Sequence, residues 1–312
     1  MGRLAVVDCQ PSFFRYAGIE KIPSKRKKLC MRPVWLNKKI DINACSKMKR
    51  LLRDLRVETV CEQAMCPNIG ECFSRDEATF LILGRSCTRM CSFCNIEKNI
   101  PLPPDPDEPG RVAEAAKILS LKHVVITSVT RDDLSDGGAK AFADTISRIR
   151  EKSPNITIEV LIPDFKLSLA ALSLVAGVFP DIIGHNVETV PSLYKQVRQG
   201  AEYLRSLGVL KALKEISPKI KTKSGIMLGM GEKEEEVDAV MQDLRSAGCD
   251  FLSIGQYLSP SSKHYPVKEY VRPEQFARYK EEGIKSGFVH IESGPYVRSS
   301  YMAGRYMPGG VN

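Results

Sequence analysis

Tryptophan occurs once in the 312 residues, histidine four times, and aromatic residues make up only 7%. No Cys/His finger pattern can be built from His123, His185, His264 and His290, and no RNA-binding signature accompanies the basic residues, so a nucleic-acid partner is not expected. No apolar run comes near the roughly 20 residues that cross a bilayer, which removes a membrane span. The first residues, MGRLAVVDCQPSFFRYAG, hold only a four-residue apolar stretch before Asp8. That is too little for a secretory signal. Arg3, Arg15 and the run from Lys25 to Lys28 suit an organellar transit peptide, but Asp8 and Glu20 interrupt them. The expected location is therefore the cytoplasm. In that reducing environment closely spaced cysteines serve as metal ligands or redox groups rather than disulfides.

What is present describes a globular chain. With 43% hydrophobic and 27% charged residues it can bury a core, as one large domain with extensions or as two modest ones. There is no internal repeat and no low-complexity tract. Forty-six basic against 37 acidic residues give a net charge of +9, which favours an acidic partner of some kind. The basic residues are dispersed apart from Lys25 to Lys28 and Lys47 to Arg56, and each cluster alone reads as a solvated surface.

From Thr79 onward short β-branched apolar runs alternate with amphipathic stretches. Strands are expected at 79–83, 123–129, 156–162, 182–187, 225–228 and 251–254, with a further candidate at 288–291. Helices are expected at 111–120, 138–152, 167–176, 201–216, 232–247 and 273–285, with one more at 44–55. That alternation predicts an α/β fold built on a parallel sheet. Six to seven units suit a barrel or partial barrel with its chemistry at the C-terminal ends of the strands. A doubly wound open sheet is the alternative, which the pattern does not separate. Five prolines in residues 101–109 predict an extended connection. The Gly-rich end, residues 302–312, should be mobile unless a site pins it.

Seven of the ten cysteines lie between residues 45 and 94, and six of those form two triplets. The sharper one is Cys87-Thr-Arg-Met-Cys91-Ser-Phe-Cys94, placed just after the strand at 79–83. Three thiolates on one tight loop can hold three irons of a [4Fe–4S] cube and leave the fourth open for a substrate or cofactor. Zinc is the rival, but a structural zinc wants four closed ligands, and no histidine lies in the loop. The other triplet is Cys61-Glu-Gln-Ala-Met-Cys66-Pro-Asn-Ile-Gly-Glu-Cys72. Beside the first it reads as a second cluster. Cys9, Cys30, Cys45 and Cys249 have no partner at ligand spacing and are expected to be structural.

These triplets, with Val125-Ile-Thr-Ser-Val129, Arg131-Asp-Asp-Leu134, Asp136-Gly-Gly138, His185-Asn-Val-Glu-Thr189 and Arg298-Ser-Ser-Tyr301, resemble the lipoyl synthases. That family belongs to the radical S-adenosylmethionine (SAM) enzymes and carries a second, auxiliary [4Fe–4S] cluster. The likeness spans about Trp35 to Tyr301. It implies a partial parallel (β/α)6 radical SAM barrel at 78–291, an N-terminal extension at 1–77 with the auxiliary motif, and a C-terminal segment at 292–312. It further implies that Cys87, Cys91 and Cys94 hold the SAM-binding cluster. The auxiliary cluster would be held by Cys61, Cys66, Cys72 and Ser300, with Ser299 the near alternative to Ser300. Ser300 would be the ligand that leaves when that cluster gives up sulfur.

The remaining implied positions are softer. Phe93 would shield the cluster, against a reading as ordinary core. Asn186 and Glu188 would face SAM, against a strand-end cap. Gly229 would approach SAM, against a simple turn, and Asp136-Gly-Gly138 stands on the same footing. Arg131 to Asp133 would form a polar network near the substrate, against paired surface charges. The activity implied is sulfur insertion at C6 and C8 of an octanoyl group on a lysine of a lipoyl carrier domain. Such domains occur in 2-oxoacid dehydrogenase E2 subunits and the glycine cleavage H protein. Electrons would come from a low-potential donor such as ferredoxin or flavodoxin. The rivals are another two-cluster radical SAM enzyme, an iron–sulfur electron carrier, whose clusters would be fully thiolate-ligated, and a nucleic-acid-modifying radical SAM enzyme.

Overall fold

The computed structural model describes residues 33–36 and 42–306. Cys9, Cys30, the Lys25 to Lys28 run and the last six residues of the Gly-rich end lie outside them. The chain begins with α1 (Ile42–Asp54), β1 (Glu58–Thr59), α2 (Val60–Gln63) and α3 (Ile69–Ser74). The alternating part follows as β2 (Thr79–Ile82), α4 (Glu108–Ile118), β3 (His123–Ser128), α5 (Ala139–Lys152), β4 (Thr157–Leu161) and α6 (Leu169–Ala176). It continues as β5 (Ile182–Gly184), α7 (Tyr194–Val197), α8 (Tyr203–Ile216), β6 (Lys221–Leu228) and α9 (Glu234–Ser246). The last elements are β7 (Phe251–Gln256), α10 (Pro273–Lys285) and β8 (His290–Gly294).

All eight strands form one sheet in the order β1 to β8, antiparallel between β1 and β2 and parallel from β2 to β8. An order that never reverses has no topological switch point, which decides against the doubly wound alternative. Right-handed crossovers then all pass over one face of the sheet. Neighbouring helices accordingly touch in chain order, α4 with α5, α5 with α6, α6 with α8. Strand residues on the helix side are aliphatic and fully buried, among them Val124, Ile126, Ile158, Val160, Leu252 and Ile254. Each contributes about 1.5–3 kcal/mol of burial.

The intervening positions face the inside of the sheet, and at the N-terminal ends of the strands they are charged. Lys223 on β6 donates to Glu159 on β4 at 2.8 Å, and His123 on β3 lies 3.3 Å from the other oxygen of Glu159. Higher up, the inner face narrows to glycine. Gly255 and Gly294 are register partners on β7 and β8, and Val297 fills the space they leave, its carbonyl against Gly255 and its side chain against Gly294. The segment after β8 therefore runs inside the sheet.

The start signals are local. Ser168 caps α6 by accepting from the Ala171 N–H, and Pro273 opens α10. The Asp136 carboxylate accepts from the N–H groups of Gly138 and Lys140, so Asp136-Gly-Gly138 is the cap and left-handed turn that begins α5.

Several boundaries differ from those read in the sequence. β6 starts four residues early, because the polar residues Thr222, Lys223 and Ser224 are buried inside the sheet. β5 stops at Gly184, and the chain over 185–187 leaves the ladder. β8 runs from His290 to Gly294 rather than over 288–291. The proline-rich connection is not extended throughout: Glu108 and Pro109 already belong to the first turn of α4, where a missing N–H costs nothing. Residues Ala303–Tyr306 form a 3₁₀ turn with Tyr306 buried, so this part of the Gly-rich end is pinned.

A methyl group on Gly255 would lie 2.0 Å from the Val297 carbonyl oxygen. Gly255→Ala must push the C-terminal segment off the sheet, at a cost of about 1–3 kcal/mol. Urea unfolding should show that loss; an unchanged midpoint would mean the segment does not pack there.

Candidate functional site

The loop carrying Cys87, Cys91 and Cys94 leaves the C-terminal end of β2 and closes on itself. The Cys87 N–H donates to the Glu97 carbonyl at 2.8 Å, and the Arg89 N–H points at the Cys87 Sγ from 3.5 Å. Three neighbouring segments hold the loop from outside. Thr88 bonds through both N–H and hydroxyl to the Thr130 carbonyl beyond β3. Ser92 donates its N–H to Val197 at the end of α7 and accepts from the Tyr265 N–H.

The strongest hold is Arg89, whose side chain is 6% exposed. Its guanidinium pairs with both oxygens of Asp132 at 2.7 and 3.0 Å and both oxygens of Asp164 at 2.6 and 2.8 Å. Burial alone would raise the Asp164 carboxyl, but the hydrogen bonds from Arg89 overcome it and hold Asp164 well below the usual carboxylate range. Arg205 adds a further bond to Asp164.

The other triplet sits on the short helices α2 and α3. Cys61 is in α2, Cys66 follows the turn at Met65, and Cys72 is in α3. Asn95, beside Cys94, donates to the Gln63 carbonyl at 2.8 Å and so ties the two cysteine loops together. The C-terminal segment comes to the same place. Asn68 donates to the Tyr296 carbonyl at 2.7 Å, and the Tyr301 hydroxyl donates to Glu71, the neighbour of Cys72, at 3.0 Å. The Arg298 guanidinium is pulled down by burial and supported by the nearby Cys66.

All six thiols are free of disulfides. Burial pushes Cys61, Cys72 and Cys94 up to about 12 and Cys91 to about 11. Those four thiols are thus protonated when metal-free, and a metal must displace their protons. Among the described residues no three His, Cys, Asp or Glu side chains converge on a point that suits a single metal ion. Two sets of three thiols with no histidine in either loop make a soft donor set of the kind that holds iron–sulfur clusters.

Asn186 follows β5 into the mouth of the barrel and donates to Glu188 at 3.0 Å and to the Ser299 hydroxyl at 2.6 Å. Glu188 takes a left-handed backbone, φ 66°, and its carboxylate charge is felt at Cys91 and Cys94. Burial raises that carboxyl, opposed by the charge of Arg198. Arg198 donates to Tyr194 and Ser206 and lies close enough to lower the Cys91 thiol. Phe93 packs with Val197, Met230 and Tyr257. Gly229, φ 96°, is the turn after β6, with its N–H taken by Glu232 and no room for a side chain beside Gln256 and Glu269. His185 is fully buried between the Ile162 carbonyl and Ser206, a core role.

The residues 131–133 are neither a simple surface pair nor one network. Arg131 is buried and pairs with Asp133, while Asp132 turns to Arg89. Sequence reasoning missed Arg89, Asp164 and Arg198. Only Arg89 carried a signal, its place between two cysteines.

Arg89→Lys keeps the charge and loses the planar fork that reaches two carboxylates. It should lower stability by about 1–3 kcal/mol and reduce iron uptake on anaerobic reconstitution. Wild-type iron content would show that the loop needs no clamp.

The Radical SAM superfamily profile matches residues 81–244. The lipoyl synthase of Geobacter metallireducens is 60% identical over 275 residues, covering 88% of this chain and 97% of that protein. The lipoyl synthase of Caldanaerobacter subterraneus subsp. tengcongensis is 56% identical over 272 residues, covering 87% and 95%. Among solved structures, methylornithine synthase is similar with a TM-score of 0.54 at 14% identity, over 78% of this chain and 74% of that one. A maturase of the FeFe hydrogenase gives 0.51 at 14%, over 85% and 68%. These two likenesses are of fold alone. Identity of that order along nearly the whole of both lipoyl synthases is decisive: the chain belongs to the lipoyl synthase family of radical SAM enzymes.

Proposed function

We propose that Cys87, Cys91 and Cys94 hold the SAM-binding [4Fe–4S] cluster, and that Cys61, Cys66, Cys72 and Ser300 hold the auxiliary one. A lipoyl synthase carries both clusters and converts an octanoyl group, borne on a lysine of a lipoyl carrier protein, into lipoyl by inserting sulfur at C6 and C8. With SAM bound, the first cluster would supply the electron that splits SAM into methionine and a hydrogen-abstracting 5′-deoxyadenosyl radical, and the second would supply the sulfur. The observation that supports the assignment is convergence. Asn95 joins the two cysteine loops, and Tyr296 and Tyr301 bind the C-terminal segment to α3 and its approach, beside Cys72.

The chain's own residues orient and enclose. Arg89 fixes the loop between Cys87 and Cys91 against β3 and β4. Phe93, with Met230 and Tyr257, makes an apolar wall that keeps water from the cluster. Asn186 and Glu188 present an amide and a carboxylate to SAM, and Arg198 balances Glu188. Gly229 serves there as the turn that brings Met230 beside Phe93. Between the two serines, Ser299 is engaged by Asn186, while the Ser300 hydroxyl makes no hydrogen bond to another described residue. That favours Ser300 as the oxygen ligand.

The carriers proposed are 2-oxoacid dehydrogenase E2 subunits and the glycine cleavage H protein, and the electron donor ferredoxin or flavodoxin. A net charge of +9 would speed encounter with acidic partners. No helix among the described residues is long and apolar enough to cross a membrane, and we place the chain in the cytoplasm. We divide it into a cluster-bearing extension (1–77), a barrel (78–291) and a closing segment (292–312).

Cys91→Ala should abolish 5′-deoxyadenosine formation, whereas Cys66→Ala should keep SAM cleavage, lose lipoyl product and drop iron from about eight to about four per chain. Normal SAM cleavage in Cys91→Ala, or full iron in Cys66→Ala, would break the assignment of the two triplets.

Ser300→Cys should keep both clusters, about eight irons, and cleave SAM. It should form little lipoyl product, because thiolate releases iron less readily than an alkoxide. Near-normal product, by mass spectrometry of an octanoyl-lysine peptide, from both Ser300→Cys and Ser299→Cys would sink the ligand proposal.

A further inference from the structure

The C-terminal segment does two things in a few residues. Around Ser300 it lies at the mouth of the barrel, held by Asn186 through Ser299 and by Glu71 through Tyr301. Six residues later Tyr306 lies at the opposite end, among the first residues of the strands. Its ring is 3% exposed and packs in one apolar cluster with Ile182 of β5 and Phe251 of β7. The ring centroid is 5.4 Å from Phe251, 4.8 Å from the His290 ring, and 3.6 Å from the Lys223 ammonium. That ammonium is itself paired with Glu159. Tyr306 thus closes the floor over the buried charges by a cation–ring contact of the kind that strengthens when water is excluded.

Between the two ends the backbone is folded into successive turns. Val297 bonds back to Gly294, Tyr301 to Arg298 and Arg305 to Met302, and Ala303–Tyr306 is a 3₁₀ turn. A chain of closed turns is short and stiff, with about 2 Å of rise per residue where it is 3₁₀. Loss of its lower end must therefore be felt at its upper end.

We propose that Tyr306 is a positioning residue: lodged in the barrel floor, it sets the height and orientation of the turn that presents Ser300 to the Cys61, Cys66 and Cys72 hairpin. The proposal rests on the reading of Ser300 as an iron ligand. Neither the cysteine spacing nor the Arg-Ser-Ser-Tyr motif includes Tyr306, and its role is separate from the hydrogen bonds that Ser299 and Tyr301 make.

The test uses the full chain in two states. In the metal-free protein, hydrogen exchange followed by mass spectrometry should show residues 298–301 opening roughly tenfold faster in Tyr306→Ala. Tyr306→Phe, which keeps the ring and its contact with Lys223, should exchange as wild type. Tyr306→Leu keeps bulk without the ring and replaces Tyr306→Ala should that variant not fold. In the reconstituted protein, a chelator should strip about half the iron, one cubane of two, several-fold faster from Tyr306→Ala and from Ser300→Ala than from wild type. Unchanged exchange at 298–301 in Tyr306→Ala overturns the anchor. Raised exchange with wild-type iron release, while Ser300→Ala releases fast, overturns the link from Tyr306 to Ser300. Wild-type release from Ser300→Ala sinks the ligand reading instead, and raised exchange in Tyr306→Ala would still support the anchor.

Discussion

A guanidinium inside a cysteine loop is the contact on which the mouth of this barrel depends. Arg89 sits between Cys87 and Cys91 and is shared by two carboxylates that arrive from the ends of adjacent strands. Removing a partner from such a buried group leaves an uncompensated charge and costs several kcal/mol, about 3–5. The loop cannot drift without breaking that pairing, so the positions of the three thiols follow from the registers of β2, β3 and β4. The same parallel order that stacks the strands one after another also delivers Asp132 and Asp164 side by side.

Charge is distributed along the barrel axis in two buried layers with opposite uses. The lower layer, Glu159 with Lys223 and His123, is closed over by Tyr306. The upper layer, Glu188 with Arg198 and Arg89 with its aspartates, surrounds the Cys87 to Cys94 loop. Between them the inner face thins to Gly255 and Gly294, which is what lets the C-terminal segment pass inside the sheet. A barrel filled with large side chains at that level would have no place for the segment that bears Ser300.

How much of this the sequence carried depends on range. Cysteine spacing is local, and both triplets lie where the spacing put them, at a strand's C-terminal end and in the preceding extension. Apolar alternation is also local, and it yielded the parallel units with ends off by a few residues. β1 was not legible, because two residues carry no period. The partners of Arg89 were not legible either: Asp164 is 75 residues away, and nothing near it in the chain marks it as a clamp. Gly229 and Asp136-Gly-Gly138 show the converse. Their glycines serve left-handed turns, and the bland alternative weighed for each describes their geometry. The pinning of the tail needed Lys223 and Phe251, which no local pattern connects to Tyr306.

The two triplets also differ in how firmly the protein holds them. Cys87, Cys91 and Cys94 lie on a loop fastened by buried ion pairs and by backbone bonds to Thr130, Val197 and Tyr265. Cys61 and Cys72 lie on helices of four and six residues, too short to be stable alone, with Cys66 on the turn between them; Cys61 and Phe73 seat this hairpin on the core, and hydrogen bonds with the C-terminal segment close it. A lipoyl synthase reuses one cluster in every turnover and draws sulfur from the other. On the assignment proposed above, the rigid loop suits a cluster that must bind SAM in one geometry again and again. The hairpin of short helices, seated on the core and closed from outside by a separate segment of the chain, suits a cluster that must be opened and refilled. On this argument the part that opens is the closing segment, while the core beneath the Cys61 to Cys72 hairpin stays packed.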